Sequence, residues 1–121
     1  VANGLRHGAA DLQRSRRAIL NGLHRVERAL QGYDVLVSPT LSVFPPAVGE
    51  ESLELLRFTT LWDLNGWPAI SVPVGVSERN LPIGFQIVGR PWSEALLLRT
   101  ARVIEQAHAL TFPPAGLAPT G

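Results

Sequence analysis

The stretch Thr59–Gly75 reads TTLWDLNGWPAISVPVG, with two tryptophans, two prolines and two glycines set around one apolar run, AISVPV. Gly66 and Pro68 stop any helix arriving from the Thr59 side, because glycine enters left-handed conformations freely and proline lacks the N–H a helix needs. Ala69–Val74 then has the length and apolarity of a strand buried in a sheet. Pro73 cannot donate a ladder hydrogen bond, so it predicts a bulge or a side that faces no neighbour.

Downstream, SERNLP is polar turn material, and PIGFQIVG, residues 82–89, reads as a third apolar strand. The connection is too short for a crossover helix, so these two strands are expected to pair antiparallel. After Pro91, Ser93 is in position to be an N-cap and Glu94 suits the positive end of a helix dipole. Leu97, Ala101, Ile104 and His108 then form a helical stripe to about Leu110. The proline- and glycine-rich tail TFPPAGLAPTG is expected to be irregular.

Upstream, the acidic cluster Glu50, Glu51 and Glu54 suits the first turn of a short helix over residues 51–64. LSVFPPAVGEES before it reads as a loop. In YDVLVSPT, the run Val35–Val37 stopped by Pro39 has the pattern of a strand buried on both faces. From about Ala9 to Leu30, Leu12, Ile19, Leu23, Val26 and Leu30 fall at spacings of seven, four, three and four, one stripe of a helix that Gly32 terminates. A helix that enters a strand through two or three residues is half of an α/β repeat. The expected order is therefore α, β, short α, β, β, α, an α/β chain whose strands imply more covering than its own two long helices supply.

At 121 residues the chain has the size of one domain, and residues 1–121 read as a single segment. Its 45% hydrophobic content is that of a globular protein, and a chain of this length buries something over ~60% of its unfolded surface. The net charge of +1 gives no electrostatic footprint for nucleic acid or an anionic membrane. All eleven basic residues are arginine, and lysine and cysteine are both absent. Thiolate chemistry, disulfides and cysteine metal sites are thereby excluded. With no signal-peptide run and no membrane-spanning stretch, a soluble, cytoplasmic protein is expected. A chain that begins with Val1 is expected to be a processed product or a piece of a longer polypeptide.

Candidate chemical groups are sparse. His24 and Glu27 lie three apart on the first helix, half of a metal site without a second half, so a solvated helical pair is expected and no metal. His7 and His108 have no partner acid near in sequence. Ser38, Thr40 and Ser42 follow the first strand in a proline-bounded loop and read as turn formers, and the glutamates at 50, 51 and 54 as a solvated helix start.

YDVLVSPT, TTLWDLNGWPAISVPVG and LPIGFQIVGRPWSEALLLRTARVIEQ, in this order and spacing, closely resemble the C-terminal third of amidase signature enzymes, over roughly Ala9–Ala109. The resemblance implies the C-terminal part of a large mixed β-sheet flanked by α-helices, with Ala69–Val74 as a central strand entered from a helix beside the substrate pocket. It also implies an N-terminal part of the amidase domain that completes the sheet, and a small-molecule amide substrate. The family hydrolyses amides with a serine nucleophile, a second serine that relays the proton and a lysine base, and needs neither a metal nor an organic cofactor. Serine attacks only when a base within hydrogen-bond reach takes its proton. With no lysine and no glycine- and serine-rich loop, this chain carries none of those residues, so no catalytic residue is assigned and the chain alone is expected to be inactive.

What the resemblance does carry over is a pocket wall. Thr59 and Trp62 match positions that line the acyl channel in members with lipophilic substrates; packing of the helix against the sheet is the alternative for both. Asp63 stands where members usually have asparagine, implying either an altered hydrogen-bond network at the pocket or a residue capping the turn at Gly66. The carboxylate with which glutamine-dependent amidotransferases recognise glutamine would fall near Leu56, which argues against that branch. Two further readings follow from the missing lysine and the uncovered sheet: a non-catalytic truncated or split-gene module that docks on a partner, and a degenerate fragment that folds poorly.

Overall fold

The computed structural model describes residues 8–50, 52–108 and 110. His7, Glu51 and the tail from Thr111 onward, all named above, lie outside them. The chain divides into two compact units, Val1–Tyr33 and Asp34–Gly121.

Among its described residues the first unit has one helix, α1, over Ala9–Ala29, close to the span its apolar stripe predicts. Gly8 precedes it, and the Asp11 carboxylate turns back to accept the Gly8 N–H at 3.0 Å. The helix closes through Leu30, whose N–H reaches the Val26 carbonyl, and Gly32 takes a φ of 87° that carries the chain away. His24 and Glu27 form the expected i,i+3 pair at 3.5 Å with both side chains well exposed.

In the second unit β1 (Val35–Pro39), β2 (Ala69–Val76) and β3 (Pro82–Gly89) make a sheet in the order β1-β3-β2. Both pairings are antiparallel, Leu36 facing Val88 on one side and Ile70 facing Ile87 on the other. The hairpin between β2 and β3 is thus as expected, but β1 does not continue an α/β repeat with a parallel neighbour. β3, the last of the three in sequence, is the middle one, and the run 69–74 lies at an edge of this three-stranded sheet. Opposite β3, β2 slips register between Pro73 and Gly75, the bulge that Pro73 predicts.

Pleating sends alternate residues of β3 to opposite faces. On one face Val72 and Ile87 meet Leu97 and Ala101 of α3 (Glu94–His108), with Val35, Ile70, Val74, Phe85 and Ile104 packed around them. Leu97, Ala101 and Ile104 are the apolar part of the predicted stripe; His108 at its end is exposed. Ser93 precedes α3 as expected, but its hydroxyl donates backward to the Arg90 carbonyl at 2.6 Å. β1 is only half-buried: Val37 is 47% exposed although it shares the face of Ile87, because among the described residues α3 packs mainly on β2 and β3 and leaves this edge strand uncovered.

The single helix expected over 51–64 is broken. A 3₁₀ turn occupies Leu53–Leu56 and a six-residue helix, α2, occupies Thr60–Asn65. Between them the chain turns through Arg57–Thr59, where the N–H groups of Arg57 and Thr59 reach the carbonyls of Glu54 and Leu56.

Candidate functional site

α2 ends in a tight reversal that fixes the two tryptophans. Gly66 adopts a left-handed φ of 67°, which a side chain would resist. The Trp67 N–H then donates to the Trp62 carbonyl at 3.2 Å and to Asn65 Oδ1 at 2.9 Å. The second indole is brought onto the first, with ring centroids 5.9 Å apart and planes 27° from parallel. Trp62 is 7% exposed. Of the two alternatives raised for Asp63, the turn cap is taken by another residue: Asn65 supplies the oxygen, because it stands two positions before the N–H that needs it, whereas Asp63 is exposed. Asn65 Nδ2 is buried and makes no hydrogen bond among the described residues.

Thr59 stands at the N-cap of α2 and is partly buried; its carbonyl accepts the N–H groups of Trp62 and Asp63 at 3.0 and 3.2 Å, while its hydroxyl makes no capping bond. α2 therefore brings Thr59, Trp62 and Asp63 together on one short element.

A cavity of about 560 Å³ opens on the sheet face opposite α3, and none of those three residues lines it. Its floor is built by pairing: Ser71 and Pro73 of β2, Gly84 of β3, and Thr40 immediately after β1. The Thr40 N–H is anchored to the Gly84 carbonyl at 2.9 Å, and the hydroxyls of Thr40 and Ser71 meet at 2.5 Å. A Cβ on Gly84 would sit 2.7 Å from Thr40 Oγ1 and 2.8 Å from Ser71 Oγ, so the hydroxyl pair can lie over β3 only because this residue has no side chain. The loop after β1 makes the wall with Leu41, Val43 and Phe44. Ser42 ties that loop down by donating to the Glu54 carbonyl at 2.7 Å. Among the described residues no charged side chain lines the cavity, which is within the size range of small-molecule sites and suits an uncharged, largely apolar group.

One row along the same face, Ser38, Gln86 and Ser71 lie side by side across the three strands. Gln86 is 3% exposed, and its Nε2 donates to the Phe58 carbonyl at 3.0 Å and to Ser38 Oγ at 3.3 Å. Sequence reasoning passes over Ser71, Gly84 and Gln86. Their signal is alternation: in PIGFQIVG the residues Gly84 and Gln86 share a face, and both are anomalous on a strand otherwise bulky and apolar. Thr40, read as a turn former, belongs to the cavity floor. Among the described residues no group of three or more His, Asp or Glu side chains is placed to hold a metal.

The model of the family described as Amidase matches residues 3–98. The chain belongs to the amidase family. Among curated members, it is 41% identical over 93 residues to fatty acid amide hydrolase of Arabidopsis thaliana, an alignment covering 68% of this chain and 15% of that protein. It is 45% identical over 87 residues to a glutamyl-tRNA(Gln) amidotransferase subunit of Myxococcus xanthus, covering 67% of this chain and 18% of that one. Among solved structures, 6-aminohexanoate cyclic dimer hydrolase superposes with a TM-score of 0.77 at 29% identity, over 87% of this chain and 26% of that one. The chain is thus an α/β piece of the amidase signature fold and spans 15% to 26% of the length of these three relatives.

Proposed function

We propose that this chain is the C-terminal part of an amidase domain, one that hydrolyses a carbon–nitrogen amide bond through a serine acyl-enzyme. The observation that carries the reading is the family match across residues 3–98. In this reading the chain supplies sheet core through β3 and α3 and a substrate-facing wall through α2 and the cavity floor. The nucleophile, relay serine and lysine base belong to the N-terminal part of the domain, which also completes the sheet. The cavity between the Thr40–Ser71 pair and the 41–45 loop receives the apolar portion of a small amide, since it offers hydroxyls but no charge. Among the described residues no helix is long and apolar enough to cross a membrane; a cytoplasmic location is part of the same reading.

A graft tests the proposal. The part of this chain that aligns with the Arabidopsis fatty acid amide hydrolase replaces its counterpart there, and hydrolysis of a fatty acid amide is followed alongside the 121-residue chain alone. Activity in the graft and none in the free chain is the expected result. A graft that folds, by circular dichroism and thermal melting, yet does not turn over the amide would overturn it. The second reading, a non-catalytic module docked on a partner, is favoured by one observation: among the described residues, β1 and β2 each pair on one side only. Under that reading the graft stays inactive and the free chain binds a separately expressed partner.

A further inference from the structure

We propose that Gln86 is a positioning residue, which holds the Phe58 carbonyl from the central strand and thereby sets where Thr59 and Trp62 stand at the start of α2. A buried amide is retained in a sheet core only where its hydrogen bonds are made. Gln86 is 3% exposed, the one polar side chain among the buried described residues, and its Nε2 spans from β3 to Phe58 at 3.0 Å and Ser38 at 3.3 Å.

Phe58 needs such a partner. The local turns are tied through the carbonyls on either side of it: Leu56 accepts the Thr59 N–H at 3.3 Å and the Thr60 hydroxyl at 2.8 Å, and Thr59 accepts the N–H groups of Trp62 and Asp63. These bonds skip Phe58, whose carbonyl points to the sheet and is taken by Gln86. A helix of six residues is far below the length that sustains itself, so α2 is placed by its tethers. One is the Asn65–Trp67 turn at its end; the other is Gln86 at its start. The same side chain has Ser71 as cross-strand neighbour, and Ser71 is in the cavity floor. Gln86 therefore stands between the cavity and the α2 wall, and a change there moves one relative to the other.

That this wall faces substrate rests on the amidase reading above; that Gln86 holds it does not. The test uses the 121-residue chain, in which amide hydrogen exchange is compared between wild type and Gln86→Met, a variant of similar length with no donor. Exchange at Trp62, Asp63 and Trp67 is expected to speed up at least tenfold relative to that of β2 and β3. The indole N–H resonances of Trp62 and Trp67 should shift, while that of Trp92, 93% exposed, stays where it is. Gln86→Asn, which keeps an amide but is one methylene short of the carbonyl, gives the same selective pattern and decides the matter if Gln86→Met does not fold. Exchange that rises equally in the strands and α2, or that does not change in α2, overturns the proposal whatever the activity of the graft.

Discussion

On the α3 side of the sheet, Val72, Ile87, Leu97 and Ala101 are at most 4% exposed and bring no polar side chain with them. On the other side the same three strands present Ser38, Gln86 and Ser71 in a row, then Gly84 beneath a pair of hydroxyls and an open cavity. The first face is stabilised by area and shape alone, so any aliphatic side chain of similar volume serves there. The second buries Val88 as well but adds directed bonds: Gln86 to a named carbonyl, Thr40 to Ser71, Thr40 to the Gly84 backbone. Strand β3 satisfies both demands because its pleat separates them, and a face specified by direction rather than volume is where recognition can be built.

The contrast can be broken most severely at Ile87, which is fully buried against α3. Ile87→Ala is expected to lower stability by about 2–5 kcal/mol, the lost transfer energy plus a cavity that the flanking strands cannot close. Urea unfolding measures it, and a loss below about 1 kcal/mol would mean that the α3 face is not the main core. Gly84→Ala is next. Its new methyl must push aside both floor hydroxyls, at an expected cost of about 1–3 kcal/mol. Adding Ser71→Ala and Thr40→Ala should recover part of that loss in the same assay, whereas no recovery would place the strain in the backbone. The smallest effect belongs to Trp92, at the joint from β3 to α3, which holds a left-handed φ of 68° and is 93% exposed. Trp92→Gly removes that strain while giving up almost no packing, and should raise stability by about 0.5–1 kcal/mol, read as a small upward shift in Tm.

The two faces differ just as much in how far the sequence reveals them. β3 is legible to the residue, since PIGFQIVG combines apolar continuity with glycine at its end, and Pro73 announces the bulge opposite it. α3 is legible because Leu97, Ala101 and Ile104 repeat at helical spacing. The short helix over 51–64 is not, because its break at Arg57–Thr59 is held by Gln86, a partner 28 residues away that no local pattern encodes. The cavity escapes for the same reason: Thr40, Ser71 and Gly84 meet only once β1 and β2 have both paired with β3. The cap that the sequence suggests for Asp63 is made by Asn65, because only the left-handed turn at Gly66 decides which side-chain oxygen lies within reach of the Trp67 N–H. Thr59 caps α2 and Trp62 lies within it, and their contact with substrate is part of the proposal that the graft tests.

The strand order has a consequence for synthesis. β1 and β2 are not paired with each other; each pairs with β3, which is made after both. A ribosome adds residues at roughly 5–20 per second, so β1 waits seconds after its own completion for β3. Until Gly89 has emerged, neither β1 nor β2 has the neighbour that it pairs with among the described residues. When β3 arrives, it inserts between two segments already present, and the described three-stranded sheet forms around the last of its own three strands to be translated.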